Sequence, residues 1–263
     1  MDWAAAQETL RGPVFAPLAA AIARLDQTRW PTHDDLTGLA EGVLTSRGAP
    51  VRFVPPRQQR DRGRPYYELH IAESGEVETR PENWHDLFNA LAWIAFPKAK
   101  AAINAQHAAL LAEGGEQEAR RRSPERDALT LFDEGGVVVA SSSPALLRLI
   151  VEHQWKELFW HRREEAAQKL VFVAFGHALF EKALAPFIGI VAKTVFVPVG
   201  DLFPVLPPEA QVAEADALLA AHFASRSRYL SPRAMAPLPV LGIPGWYHDT
   251  GREAYYDDRE HFR

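Results

Sequence analysis

Residues 81–97 carry the sequence PENWHDLFNALAWIAFP, which predicts a helix lying in the protein core. Asn83 is a favourable N-cap residue, and Pro97 ends the segment because proline cannot donate a backbone hydrogen bond. Apolar residues between them cover most sides of the helix, which is typical of a buried helix. At about 100° per residue, the polar residues and one tryptophan share a single side. They are His85, Asp86, Asn89 and Trp93.

The next segment, residues 98–111, repeats this arrangement on a second predicted helix. Its shared face contains Lys100, Asn104, His107 and Leu111. A turn at Pro97 would fold the two helices into a hairpin, so that their polar residues could meet along the seam. Each unpaired buried polar group costs about 1–3 kcal/mol, so these side chains either bond to one another or face a cleft. Both alternatives stay open, and an internal hydrogen-bond network is the commoner use of such residues.

Composition narrows the classes of protein that this chain can represent. A hydrophobic content of 47% and a charged content of 24% are typical of a globular protein. The formal net charge of −5 argues against a generally basic nucleic-acid binder, and glutamates flank the basic triplet at 120–122. The chain contains no cysteine, which excludes disulfides, thiolate nucleophiles and cysteine-based zinc sites.

The N-terminal residues show no basic region followed by an apolar run, so we expect no signal peptide. Apolar runs such as 170–175 are too short to cross a bilayer. We therefore expect a cytoplasmic protein that acts on a small-molecule or polymer substrate and does not bind membranes. The sequence leaves its partners and oligomeric state open.

The pattern of elements predicts a helix-rich α+β fold with a small, mainly antiparallel sheet, in one domain spanning 1–263. Strands are expected near 51–54, 66–71, 129–139 and 195–199, and helices near 14–25, 32–43, 143–163 and 209–223. The segment 129–139 looks like a hairpin whose turn contains Asp133 and Glu134, and 114–126 is typical of a charged surface loop. The Pro-rich tail, from about 230 to 263, should lie extended on the body, anchored by Trp246, Tyr255 and Tyr256.

A third candidate segment begins at Gly176. His177 and Glu181 are four residues apart and so share one helical face. This spacing suits a metal-binding pair, although a simple ion pair or hydrogen bond is the commoner arrangement. Lys193 is a further candidate for a buried reactive amine.

Several stretches resemble an uncharacterised bacterial family known only as a domain of unknown function. The resemblance rests on RPENWHDLFNAL at 80–91, FGHALFEK at 175–182, PLPVLGIPGW at 237–246 and YYDD at 255–258. It covers most of the chain and implies a single-domain member of that family. It implies no activity, ligand or catalytic residue.

Two functions therefore remain, and they belong to different classes. The first is a hydrolase assisted by a divalent metal ion, in which His85, His107, His177 and Glu181 are the candidate ligands. The candidate catalytic residues are His85, Asp86, Asn89, Asn104 and Lys193, and His85 with Asp86 or Glu181 could do acid–base work without a metal. The second is a non-catalytic binding domain in which these polar residues form a structural network. Nucleophile-elbow, phosphate-loop and dinucleotide-binding motifs are missing from the sequence.

Overall fold

The computed structural model describes residues 1–57, 67–228 and 231–262. Its helices are α1 Trp3–Ala6, α2 Ala19–Ile22, α3 His33–Leu39, α4 Tyr67–Ser74, α5 Trp84–Ala95, α6 Pro97–Arg120, α7 Pro124–Gly135, α8 Pro144–Val151, α9 Arg163–Lys169, α10 His177–Ala183 and α11 Pro208–Phe223. Its strands are β1 Arg52–Val54, β2 Glu76–Glu78, β3 Gly136–Ser141, β4 Leu170–Ala174, β5 Val191–Pro198 and β6 Pro237–Pro239. The predicted helix-rich α+β class is confirmed.

The larger sheet has the strand order β4-β3-β5-β6. β3 pairs antiparallel with β4 and parallel with β5, and β5 pairs antiparallel with β6. β1 and β2 form a separate two-stranded parallel ladder. Every residue of β3 is buried, because this central strand is covered on both faces of the sheet.

The core is divided by the larger sheet. Val137 and Val139 of β3 pack into one apolar cluster, which includes α5 and α10. Val138 and Ala140 point the other way and join a second cluster built with α6, α7 and α11. This alternation follows from the period of two along a strand, and it explains why residues 137–140 are all apolar.

Helices α5 and α6 begin as the sequence indicates. Asn83 caps α5, where its side chain accepts a hydrogen bond from the backbone N–H of Asp86. The chain leaves helical geometry at Phe96 and starts α6 at Pro97, whose missing N–H is harmless at a first helical position. Buried Asp216 of α11 accepts the N–H groups of Lys98 and Ala99, at 3.2 and 2.7 Å, and so fixes the start of α6.

The predicted strand at 66–71 is wrong for residues 67–71, which form helix α4, while Tyr66 lies outside the described residues. Ile71 and Ala72 of α4 are buried, and the helix packs against α6. This helix ends at Ser74, and Gly75 follows it. Gly75 adopts a φ of 72°, and its N–H bonds to the carbonyl of Ile71.

The predicted hairpin at 129–139 and the predicted loop at 114–126 are also wrong. Helix α6 extends to Arg120, with a break at Gly115, and α7 starts after the cap residue Ser123. The residues expected to form the first strand belong to α7, which buries Ala128, Leu129 and Phe132 at helical spacing. The Gly135-Gly136 pair joins this helix to β3. The glycines therefore mark the change from helix to strand and not the turn of a hairpin.

The tail packs on the body through β6 and a series of 3₁₀ turns, so it is less extended than the sequence suggests. Tyr256 is buried, and its hydroxyl donates to the carbonyl of Gly242. Tyr255 donates to the carbonyl of Leu241. Within the described ranges, no helix combines the length and the apolar character needed to span a bilayer.

Candidate functional site

A cavity of about 590 Å³ opens between α4, α5, α6, α7 and the start of α10. It lies where the sequence places the seam between α5 and α6. His85, Asn89, Lys100, Asn104 and His107 all line it. The polar faces of the two helices therefore border a cleft, and a volume of this size is typical of a small-molecule site.

A buried ion pair forms one wall of the cavity. The ammonium of Lys100 donates to both carboxylate oxygens of Asp133, at 2.6 and 2.8 Å, and to Oδ1 of Asn89 at 2.9 Å. It also lies 5.6 Å from the ring centroid of Trp93. Burial raises the pKa of Asp133, but Lys100 and His177 outweigh it and hold the pKa below its ordinary value. Asp133 is therefore a carboxylate at neutral pH.

Two imidazoles meet beside this pair. Nε2 of His85 lies 3.1 Å from Nε2 of His177, and their rings are nearly perpendicular. Nδ1 of His85 lies 2.9 Å from Oε2 of Glu181, which is on the same helix as His177. Nδ1 of His177 lies 3.6 Å from Oδ2 of Asp133 and has no hydrogen-bond partner among the described residues. A continuous polar chain thus runs through Glu181, His85, His177, Asp133 and Lys100.

Packing between α5 and α10 sets this contact. Phe88, one turn after His85, packs against Phe180 of α10, with ring centroids 5.7 Å apart. His177 is only 7% exposed, whereas the side chain of His85 is 36% exposed. Burial lowers the pKa of His177 to about 4, so this imidazole is neutral at physiological pH.

Asp86 is occupied by Arg80. Its Oδ2 accepts the backbone N–H and the Nε–H of Arg80, at 2.7 and 2.8 Å, and its Oδ1 accepts from a terminal nitrogen at 2.8 Å. Burial raises the pKa of Asp86, but the hydrogen bonds and charge of Arg80 bring it below its ordinary value. This geometry suits positioning of the guanidinium at the cavity better than removal of a proton from a substrate.

The opposite part of the cavity holds Asn104 and His107. Nδ2 of Asn104 donates to the carbonyl and to Oε2 of Glu68, at 2.9 and 2.7 Å, while its Oδ1 has no partner among the described residues. His107 is 4% exposed, and burial lowers its pKa. It lines the same cavity as the imidazole pair but belongs to a different group of side chains.

Lys193 lies elsewhere. It is on β5 and directs its ammonium to the carbonyl of Pro232 at 3.5 Å, and it is not among the residues that line the cavity. The sequence interpretation of Lys193 as a member of the same site is therefore unsupported by its position. A lysine of this site does exist, at Lys100.

The candidate metal ligands are only partly brought together. His85, His177 and Glu181 are neighbours, but both ring nitrogens of His85 already face polar partners, and His107 is apart from them. Across residues 1–57, 67–228 and 231–262, no three His, Asp or Glu side chains are placed to hold a metal ion.

Sequence reasoning missed several cavity residues. Lys100 was visible on the shared face of α6, yet only its pairing with Asp133 reveals its role in the site. The sequence prediction puts Asp133 in the turn of a hairpin, whereas the helical spacing of 124–135 puts it on one face of α7. Glu68 and Arg80 gave no local signal, because their roles depend on contacts with other helices.

Gly176 is required for the position of His177, and we expect Gly176→Ala to destabilise the protein. A Cβ at this position would fall well inside van der Waals distance of the backbone carbonyl of Glu134. Overpacking of this kind costs about 1–3 kcal/mol, measurable by urea denaturation. Gly38→Ala is the matched control, since nothing lies within 4 Å of its added Cβ. Equal stability of the two variants would show that α10 is free to shift.

The fold and the cavity together define a helix-rich α+β protein with a histidine-lined polar cleft. Residues 51–263 match the family model described as "Protein of unknown function (DUF3025)", and the chain belongs to that family. No curated protein and no solved structure matches the chain. The residues that line the cavity run from Pro56 to His177, so all of them fall inside the matched range.

Proposed function

We propose that the cavity is an acid–base catalytic site for a small-molecule substrate, with His85 and His177 as the proton-transfer pair. The observation that carries this proposal is the polar chain from Glu181 through the two imidazoles to Asp133 and Lys100. General acid–base catalysis uses a positioned side chain, most often histidine, and a carboxylate that orients the imidazole supports this role.

The hydrogen-bond valences of the imidazole pair favour transfer of a single proton. A neutral imidazole has one donor and one acceptor nitrogen. If His85 donates from Nδ1 to Glu181, its Nε2 accepts from His177, and Nδ1 of His177 is left as a lone pair facing Asp133. If His85 carries a second proton, its Nε2 donates to His177, whose remaining N–H then points toward Asp133. Uptake of one proton by the pair therefore relieves an unfavourable contact.

Each neighbouring residue has a distinct role in this proposal. His85 is the group that contacts the substrate, because it is partly exposed at the cavity wall. Glu181 orients the ring of His85. Asp133 and Lys100 are the two fixed charges closest along the chain of contacts to the buried His177, and they act on its pKa in opposite directions. Tyr67 also lines the cavity, and its phenol, whose pKa is raised by desolvation and by the neighbouring carboxylates, can donate a hydrogen bond to a bound ligand.

Hydrolysis is the simplest reaction that uses this arrangement. Both nitrogens of His85 are engaged in the structure, so its contact with Glu181 would open first. Nδ1 of His85 would then take a proton from water as the water attacks the substrate, and it would return that proton to the leaving group. The proton transfer itself needs no metal ligand, and in the structure the two nitrogens of His85 face Glu181 and His177. We therefore propose acid–base hydrolysis in place of metal-assisted hydrolysis.

A second candidate function, ligand binding without catalysis, is favoured by how completely some groups satisfy one another. Lys100 is fully engaged by Asn89 and Asp133, and Asp86 by Arg80. A fully satisfied network of this kind can hold the walls of a binding cavity in place without taking part in a reaction. The two functions differ in whether a bound compound is converted.

Mass spectrometry of a defined metabolite library, incubated with purified protein, separates these functions. We expect a compound that is consumed by the wild type, with a product that has gained the elements of water. His85→Ala and His177→Gln should each reduce its consumption by about 10²–10⁴-fold. The matched control is His161→Gln, which removes an exposed histidine that does not line the cavity.

Consumption at the wild-type rate in both cavity variants would defeat the proposal. Saturable binding of a compound without any consumption would establish the second candidate function. Loss of consumption in His161→Gln as well would point to a general loss of structure rather than of the proton-transfer pair.

A further inference from the structure

We propose that the end of the cavity remote from the imidazole pair binds the anionic group of the substrate, a carboxylate or a phosphate, through Arg122, Arg126 and His107. This inference rests on the proposed function, because it names the substrate class of the same cavity.

The cavity is elongated along α6. Lys100, Asn104, His107 and Leu111 line it on successive turns, which corresponds to about 16 Å of helix. Helix α7 runs antiparallel beside it, because Asp133 meets Lys100 while Arg126 contacts Glu118. The imidazole pair is therefore at the Lys100 end and the arginines are at the His107 end.

Arg126 brings an uncompensated donor to this end. The residue is 9% exposed, and one terminal nitrogen donates to the carbonyl of Glu118 at 2.8 Å and lies 3.6 Å from its carboxylate. Nε of Arg126 has no acceptor among the described residues. Glu118 itself does not line the cavity, so its charge is on the outer side of the guanidinium.

His107 supplies a second unpartnered atom. Its Nδ1 lacks a partner in the described part of the chain, although the residue is 4% exposed. Burial lowers the pKa of His107, and the nearby carboxylates of Glu68 and Asp133 partly offset that effect. Arg122 and Arg126 line the same cavity as His107. Arg122 is exposed and lines the cavity, so its guanidinium is free to approach a ligand.

Glu68 is an acidic residue at this end, and it accepts a hydrogen bond from Nδ2 of Asn104 at 2.7 Å. Oδ1 of Asn104 is buried and unpartnered, so it calls for a hydrogen-bond donor on the ligand. A hydroxyl or amino group next to the anionic group meets that requirement. The substrate class is therefore a small hydroxy- or amino-substituted carboxylate or phosphate, whose reacting bond would lie toward His85.

Binding of simple probes at constant ionic strength tests this assignment. Glycolate and inorganic phosphate serve as anions, and glycolamide serves as the neutral match for glycolate, each followed by ligand-detected NMR. We expect saturable binding of at least one anion in preference to glycolamide. Arg122→Gln should weaken it about tenfold, the usual effect of removing a charged hydrogen bond. Arg126→Lys, which keeps the charge but loses the planar fork, should also weaken it.

Arg121→Gln is the matched control, because Arg121 is an exposed neighbour that does not line this cavity. A preference for glycolate identifies a carboxylate as the ligand group, and a preference for phosphate identifies a phosphate. Equal binding of glycolamide, no saturable binding of either anion, or equal effects of Arg121→Gln and Arg122→Gln would each overturn the inference. His85→Ala should keep its anion affinity, so failure of catalysis and failure of anion binding are distinguishable.

Discussion

Lys100→Met is expected to destabilise the protein by about 3 kcal/mol, measured as the free energy of unfolding in urea. The substitution keeps the apolar stem of the side chain and removes the charge, leaving Asp133 as an unpaired carboxylate. Removal of one partner from a buried ion pair typically costs about 3–5 kcal/mol. The carboxylate of Asp133 is one-fifth exposed, so we expect the lower end of this range.

The double variant Lys100→Met/Asp133→Asn separates loss of the pair from loss of packing. With both charges removed, most of the lost stability should return, since the cost comes from the uncompensated carboxylate. The control is Lys156→Met, which breaks an exposed pair with Asp257 and Glu253 and should change stability little. A double variant as unstable as Lys100→Met would show that packing of the lysine stem dominates.

The central helix was predictable from the sequence because its signals are local. Asn83 at the cap, Pro97 at the end and an apolar run between them specify α5 without reference to other segments. The polar faces of α5 and α6 also follow from helical spacing, and these faces border the cavity. The catalytic roles of His85 and Asn89 and the metal-ligand role of His177 stay predictions, since position alone does not test them.

The errors arise where neighbouring segments decide the structure. Tyr67–Ile71 contains aromatic and branched residues that suit a strand, but Ile71 and Ala72 are buried against α6 as part of a helix. In 124–135, Gly135 and Gly136 suggested the turn of a hairpin, although the residues before them have helical spacing. Local sequence therefore predicts where an element ends better than it predicts whether the segment beside that boundary is a helix or a strand.

The site itself could be predicted only in part, for a physical reason. A sequence shows which residues titrate, but the contacts that tune them come from distant segments. His177 and Glu181 gave a pair on one helix, whereas the contact of His177 with His85 depends on packing between α5 and α10. Asp86 looked like a free carboxylate until Arg80 was seen to occupy both of its oxygens.

The second large effect is a dependence of stability on pH. His177 has a pKa of about 4 in the folded protein, below its ordinary value of 6.5, because burial disfavours its charged form. The unfolded chain therefore binds the proton more readily, and stability is full above pH 6.5 and falls as pH decreases toward 4. For this single group, we expect a loss of about 2 kcal/mol between pH 7 and pH 5.

Comparison with His177→Gln isolates that contribution from other titrating groups. Buried His107 and His261 also have lowered pKa values and act in the same direction, whereas Asp216, whose pKa is raised by burial, acts in the opposite one. These groups are present in both proteins, so the difference in slope belongs to His177 and the contacts it makes. Urea unfolding at a series of pH values from 5 to 7.5 should give a clearly flatter profile for the variant. Parallel profiles would mean that His177 takes up its proton as readily in the folded state as in the unfolded chain, in which case Asp133 would stabilise the imidazolium about as strongly as burial opposes it.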